Sequence, residues 1–135
     1  MPKRQIIKEG EALRYLENAR EILRSTQIEG NNYIDKKPVR EACGTAYLAV
    51  LEAINDALIK QGLTTKQLPK KVETYRIALQ DHLSVKNGKL LKDFNSLYDL
   101  LHIAGYYQGL LYDAQVVKDT MKAAERFIKK VSGGV

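Results

Sequence analysis

Residues 36 to 61 read Lys36-Lys37-Pro38-Val39-Arg40-Glu41-Ala42-Cys43-Gly44-Thr45-Ala46-Tyr47-Leu48-Ala49-Val50-Leu51-Glu52-Ala53-Ile54-Asn55-Asp56-Ala57-Leu58-Ile59-Lys60-Gln61. Val39, Cys43, Ala46, Tyr47, Val50, Ile54, Ala57 and Leu58 recur at steps of three and four, the spacing that places side chains on one face of an α-helix. Ala42, Ala49 and Leu51 widen that stripe, so the pattern predicts a central helix contacted on several sides. Its ends are marked chemically. Asp35 has the short acceptor side chain of an N-cap, Pro38 is tolerated in a first turn, and Gly62 suits the residue that closes a helix.

Working outward, the segment from about Gln5 to Ser25 carries Leu13, Leu16, Ala19, Ile22 and Leu23 at helical spacing, and Gly30-Asn31-Asn32 marks a loop before Asp35. After Thr64-Thr65, a third segment from about Gln67 to His82 presents Leu68, Val72, Tyr75, Leu79 and Leu83, and Asn87-Gly88 breaks it. A fourth, from about Lys89 to Ala104, turns Leu90, Phe94, Leu97, Tyr98 and Leu101 inward. Gly105 and Gly109 then bracket Tyr106-Tyr107-Gln108, where a break is expected. The fifth, from about Leu110 to Val131, sets Leu110, Ala114, Val117, Met121, Ala124, Ile128 and Val131 in alternating steps of four and three. That is a knobs-into-holes seam, for use inside a bundle or against a second subunit. No segment alternates with period two. The expected fold is therefore all-α, an antiparallel up-down bundle of about five helices forming a single domain over residues 1–135. Tyr98, Leu101 and Met121 are expected to be buried where the fourth and fifth helices pack antiparallel.

A chain of 135 residues, 44% hydrophobic and 28% charged, can bury a core without disulfides or metal and is too apolar for disorder. The longest run without Lys, Arg, Asp or Glu, Leu100 to Tyr112, falls short of the roughly 20 residues of a membrane helix, so no membrane association is expected. Met1 to Ile7 lacks the apolar region of a signal peptide, and the lone Cys43 has no internal disulfide partner; a cytoplasmic location follows as an expectation. The net charge of +6 is concentrated. Between residues 60 and 93, Lys60, Lys66, Lys70, Lys71, Arg76, Lys86, Lys89 and Lys92 face only Glu73, Asp81 and Asp93, a local +5. Such a surface attracts phosphate-rich partners. A solvated lysine face that keeps the chain soluble is the plainer alternative.

Catalytic chemistry finds little support. Cys43 lies on the buried stripe, where a thiol is unreactive. Neither a Gly-x-Ser-x-Gly turn nor a Gly-rich phosphate loop is present. Asp99-x-x-His102 is half of a metal motif, and the acidic pair Glu52 and Asp56 has no histidine beside it, so neither metal nor cofactor is expected. The binding candidates are Lys66, Lys70, Lys71 and Arg76, within one expected helix and its start, and Tyr106 and Tyr107, whose rings could stack on bases. Of the two adjacent tyrosines, one should be packed and the other at least partly exposed. Tyr75 falls on the Leu68/Val72/Leu79 stripe and is assigned to the core.

The order of features resembles HEPN domains, small helical bundles that often dimerise. The likeness lies in Tyr15-Leu16-Glu17-Asn18-Ala19-Arg20-Glu21-Ile22-Leu23, in the Ala-rich helix from Arg40 to Ile54, and in Ala123-Ala124-Glu125-Arg126-Phe127-Ile128 of the closing helix. Active members of that family cut RNA with an arginine, a polar residue after it and a histidine a few positions on. By spacing, Arg76 and His82 match, with Ile77 in the polar position, although six helical steps separate them by about 9 Å along the axis and about 120° in direction. By helix order the motif falls within Leu97 to Tyr106, which has no arginine and has Tyr106 near the histidine's place. The resemblance thus implies a non-catalytic, homodimeric binding or regulatory module, and the basic stretch over residues 60–93 adds a surface for contacting nucleic acid or nucleotide. Two other readings stand beside it: an RNA-cutting enzyme using Arg76 and His82, and a helical module that binds a protein partner through the fifth-helix seam.

Overall fold

The computed structural model describes residues 10–83 and 88–133. In chain order these form α1 (Glu11–Arg24), a small hairpin of β1 (Ile28–Glu29) and β2 (Asn32–Tyr33), α2 (Lys36–Lys60), a 3-10 turn at Thr65–Gln67, α3 (Val72–Ala78), α4 (Lys89–Leu97) and α5 (Ala114–Ser132). α3 continues as a wider, π-type turn over Leu79–Leu83, and α4 over Tyr98–Tyr107. The fold is an all-α helical bundle. The N-terminal part of the expected first helix, Gln5 to Glu9, and Asn87 of the expected break lie outside the described residues.

α2 is the axis of the molecule. Asp35 caps it, its carboxylate accepting from the Lys37 amide (3.1 Å). Every residue of the stripe from Val39 to Leu58 is buried, together with Ala42, Ala49 and Ala53, while Leu51 is half-buried. By length and composition alone α2 could cross a membrane, but here its apolar faces are covered by α1, by the wide extension of α4 and by α5.

Four chain ends meet beside the hairpin. The Tyr33 amide donates to the Tyr112 carbonyl (2.8 Å) and the Ala114 amide to the Asn31 carbonyl (2.7 Å). The far end of the α4 extension reaches the same place, where Arg40 binds it. α1 and α4 therefore run toward the hairpin and α2 and α5 away from it, which is the up-down antiparallel order. Phe94, early in α4, lies 6.4 Å from Phe127, late in α5. Leu101 and Met121 are buried in the core, whereas Tyr98 is only half-buried.

The seam of α5 is spent inside the bundle: Ala114, Val117, Met121, Ala124, Ile128 and Val131 are all buried. Leu110, the first member of that rhythm, precedes the helix and is 59% exposed, because Asp113 caps α5 by accepting from the Gln115 and Val116 amides (2.9 and 3.0 Å). Leu13 is likewise exposed.

Other departures have local causes. The third helix starts at Val72, not near Gln67. Pro69 keeps Leu68 out of helical geometry (ψ 145°), so Lys66 sits on a 3-10 turn and Lys70 and Lys71 on the link that follows. Residues 28 to 33 pair as two strands of two residues each, where a loop alone was expected. The chain reverses once near residue 109. Gly105 stays inside the helix, whereas Gly109 adopts φ +65°, and the Leu110 amide reaches back to the Ala104 carbonyl (2.8 Å).

Candidate functional site

Lys66, Lys70 and Lys71 do converge, though not along one helix. They line an open groove of about 580 Å³ with Leu68, Pro69, Ile77, Asp81 and His82. The turn that carries them is fixed locally: the Thr64 amide donates to the Gln67 side chain (2.8 Å), and the Lys71 amide donates to Thr74 Oγ1 (3.2 Å). Ile77, 55% exposed, adds an apolar wall. Three lysines against Asp81 leave the groove positive.

Arg76 is not part of this groove. Its Nε donates to Asn95 Oδ1 (2.7 Å), and its guanidinium lies 5.2 Å from the centre of the Tyr98 ring. His82 stays at the groove, its carbonyl accepting from Gln61 Nε2 (2.9 Å). The two residues thus face different surroundings, one on α4 and the other among the lysines.

Tyr106 and Tyr107 sit at the hairpin end, roughly 30 Å along α2 from the lysines at 1.5 Å per residue, too far for one nucleotide to span both. Both are exposed, at 48% and 70%. The Tyr106 ring nevertheless lies against Gly44, where an added Cβ would stand 2.9 Å from Cδ1. Arg40 holds this end of the helix, Nε donating to the Tyr106 carbonyl and Nη2 to the Tyr107 carbonyl (both 2.9 Å), so two otherwise open carbonyls of the helix end are satisfied.

Between these ends runs a row of rings that the sequence did not flag. His102 stacks on Tyr47 (4.9 Å) and lies between Tyr98 (5.4 Å) and Tyr106 (6.0 Å). Its signal was legible in part, since positions 98, 102 and 106 share a helical face. Tyr47 lies in the middle of α2, and burial pushes its phenol up to about 12, with Tyr98 and Tyr75 acting in the same direction. A phenol held that high stays neutral and acts as a packing group. The partnerships of Arg40 with residues 106 and 107 and of Arg76 with Asn95 left no mark in the sequence, because nothing local encodes them.

Among the described residues no group of three or more His, Cys, Asp or Glu could hold a metal. Cys43 is fully buried, and burial raises its thiol to about 12. Ellman's reagent at pH 8 should therefore leave the folded protein unlabelled while reacting promptly with the unfolded chain; prompt labelling without denaturant would place this thiol at an open site.

The fold and groove thus define a helical bundle with a basic surface groove. A family profile described as a domain of unknown function, DUF5618, matches residues 7–133, and the chain belongs to that family. A solved protein of unknown function from Dyadobacter fermentans is similar over 95% of this chain and 96% of its own, at 36% identity and a TM-score of 0.78. Comparison with curated proteins gives no match.

Proposed function

We propose that the protein is a non-catalytic binding module of HEPN-like character that holds single-stranded nucleic acid by its phosphates through the lysine groove. The observation that carries this reading is the convergence of Lys66, Lys70 and Lys71 on one open groove. No tyrosine or phenylalanine lines that groove, where His82 is the one ring, and Arg76 is turned away, so recognition is mainly electrostatic and independent of sequence. The resemblance of the helices to HEPN domains supports the same class. Dimerisation belongs to this proposal as well. With the α5 seam buried, a second copy or a protein partner has to use another face, such as exposed Leu48, Tyr106, Tyr107 and Leu110.

Three phosphate contacts on a single strand give a salt slope of about −2, so binding should weaken roughly 20-fold between 50 and 200 mM salt. Fluorescence anisotropy of a labelled RNA oligonucleotide, repeated with Lys66→Gln/Lys70→Gln/Lys71→Gln, measures this. The triple variant should lose nearly all of that slope, and an unchanged slope would overturn the reading. Cleavage of the oligonucleotide that Arg76→Ala and His82→Ala each abolish would favour the enzymatic alternative instead.

A further inference from the structure

A second groove opens between α1 and α5 beside the hairpin, with a volume of about 450 Å³, within the range of pockets that hold small ligands. Two pairs of cations face each other across it. Arg20 and Arg24 stand one turn apart on α1, and Lys118 and Lys122 one turn apart on α5. Like charges at that spacing repel, so the arrangement costs stability unless anions offset it. The chain supplies only half of that offset. Glu125 pairs with Arg20 (2.8 Å) and Glu17 with Arg24, whereas Lys118 and Lys122 have no ion pair among the described residues.

The remaining lining is of a different kind. Leu23 and Met121 give apolar walls, and Ile28 is partly exposed above them. Tyr33 lines the groove although it is only 4% exposed, and its hydroxyl has no hydrogen-bond partner among the described residues. Burial, with Cys43 acting in the same direction, raises this phenol.

We propose that this groove binds a small phosphate monoester, its phosphate held by Lys118 and Lys122 and its planar or apolar group resting on Leu23, Met121 and Ile28. A phosphate monoester carries a charge of about −1.5 to −2 at pH 7, which matches two uncompensated lysines; a carboxylate neutralises only one. The site is at the opposite end of the bundle from the lysine groove, so the two are independent.

Calorimetry and thermal melting of the full chain with phenyl phosphate, inorganic phosphate and benzoate test the assignment. Phenyl phosphate should bind one per chain, roughly tenfold or more tighter than either of the others. Lys118→Gln/Lys122→Gln removes two charge-assisted contacts and should weaken it about 100-fold. Both lysines are exposed, so the variant's melting temperature without ligand should be unchanged. The triple variant of the lysine groove should bind phenyl phosphate as the wild type does. Absence of heat and of a melting shift at millimolar phenyl phosphate would overturn the proposal. Equal binding by the Lys118/Lys122 variant, or benzoate binding as tightly as phenyl phosphate, would do the same.

Discussion

Phe94→Ala should remove about 3–5 kcal/mol of stability, a large share of the 5–15 kcal/mol typical of a folded domain. Phe94 is fully buried, and its ring centre lies within 6.5 Å of Tyr47 on α2, Tyr75 on α3 and Phe127 on α5. One side chain therefore joins four helices, and truncation leaves a cavity that none of them can fill without moving away from the others. For a chain of this length the melting temperature should fall by roughly 10–18 °C. Tyr107→Ala, at a residue 70% exposed, serves as the control and should change stability by no more than about 0.5 kcal/mol. Melting followed by helical circular dichroism reads both. A loss below about 1 kcal/mol at Phe94 would mean that the four helices do not share this ring.

Gly105→Ala should also destabilise, against the usual trend for a glycine inside a helix. On an exposed helix the change gains about 0.5–1 kcal/mol. Here an added Cβ would stand 2.6 Å from Cys43 Sγ, 2.7 Å from Cys43 Cβ and 3.0 Å from the Leu100 carbonyl oxygen. The Cys43 Cβ is fixed by the backbone of α2, so relief requires α2 and the α4 extension to separate. Overpacking of this kind costs about 1–3 kcal/mol, which outweighs the propensity gain. Adding Cys43→Ala removes the sulfur but leaves the Cβ, so the double variant should recover only part of the loss. A melting temperature raised by Gly105→Ala alone would show that the two helices are not in close approach.

Much of this architecture could be read in the residue spacing. The stripe of α2, the Asp35 cap and five of the fifth-helix periods were legible because each is a local pattern repeated over several turns. Pro69 was legible too, but the apolar rhythm of Leu68, Val72 and Tyr75 continues across it and hides the helix start. The end of α4 was harder to place. Gly105 looks like a breaker in sequence, yet it serves packing, and only the backbone angle at Gly109 tells the two roles apart. The candidate site was legible in composition rather than in geometry. Lys66, Lys70 and Lys71 share a groove because a turn folds them together. Arg76 belongs elsewhere because Asn95 and Tyr98 hold it, and Tyr106 and Tyr107 lie at the far end because α4 runs antiparallel to α2.

The two backbone hydrogen bonds that join the hairpin to the start of α5 also bear on the order in which the chain assembles. Tyr33 and Tyr112 are far apart in sequence, and closing a loop of roughly 80 residues costs about 4 kcal/mol of chain entropy before either bond can form. α1, the hairpin and α2 close over far shorter distances and can pair first. The clasp from Asn31 and Tyr33 to α5 is then expected to close after those local pairings, once the long loop's entropy can be offset by the rest of the bundle.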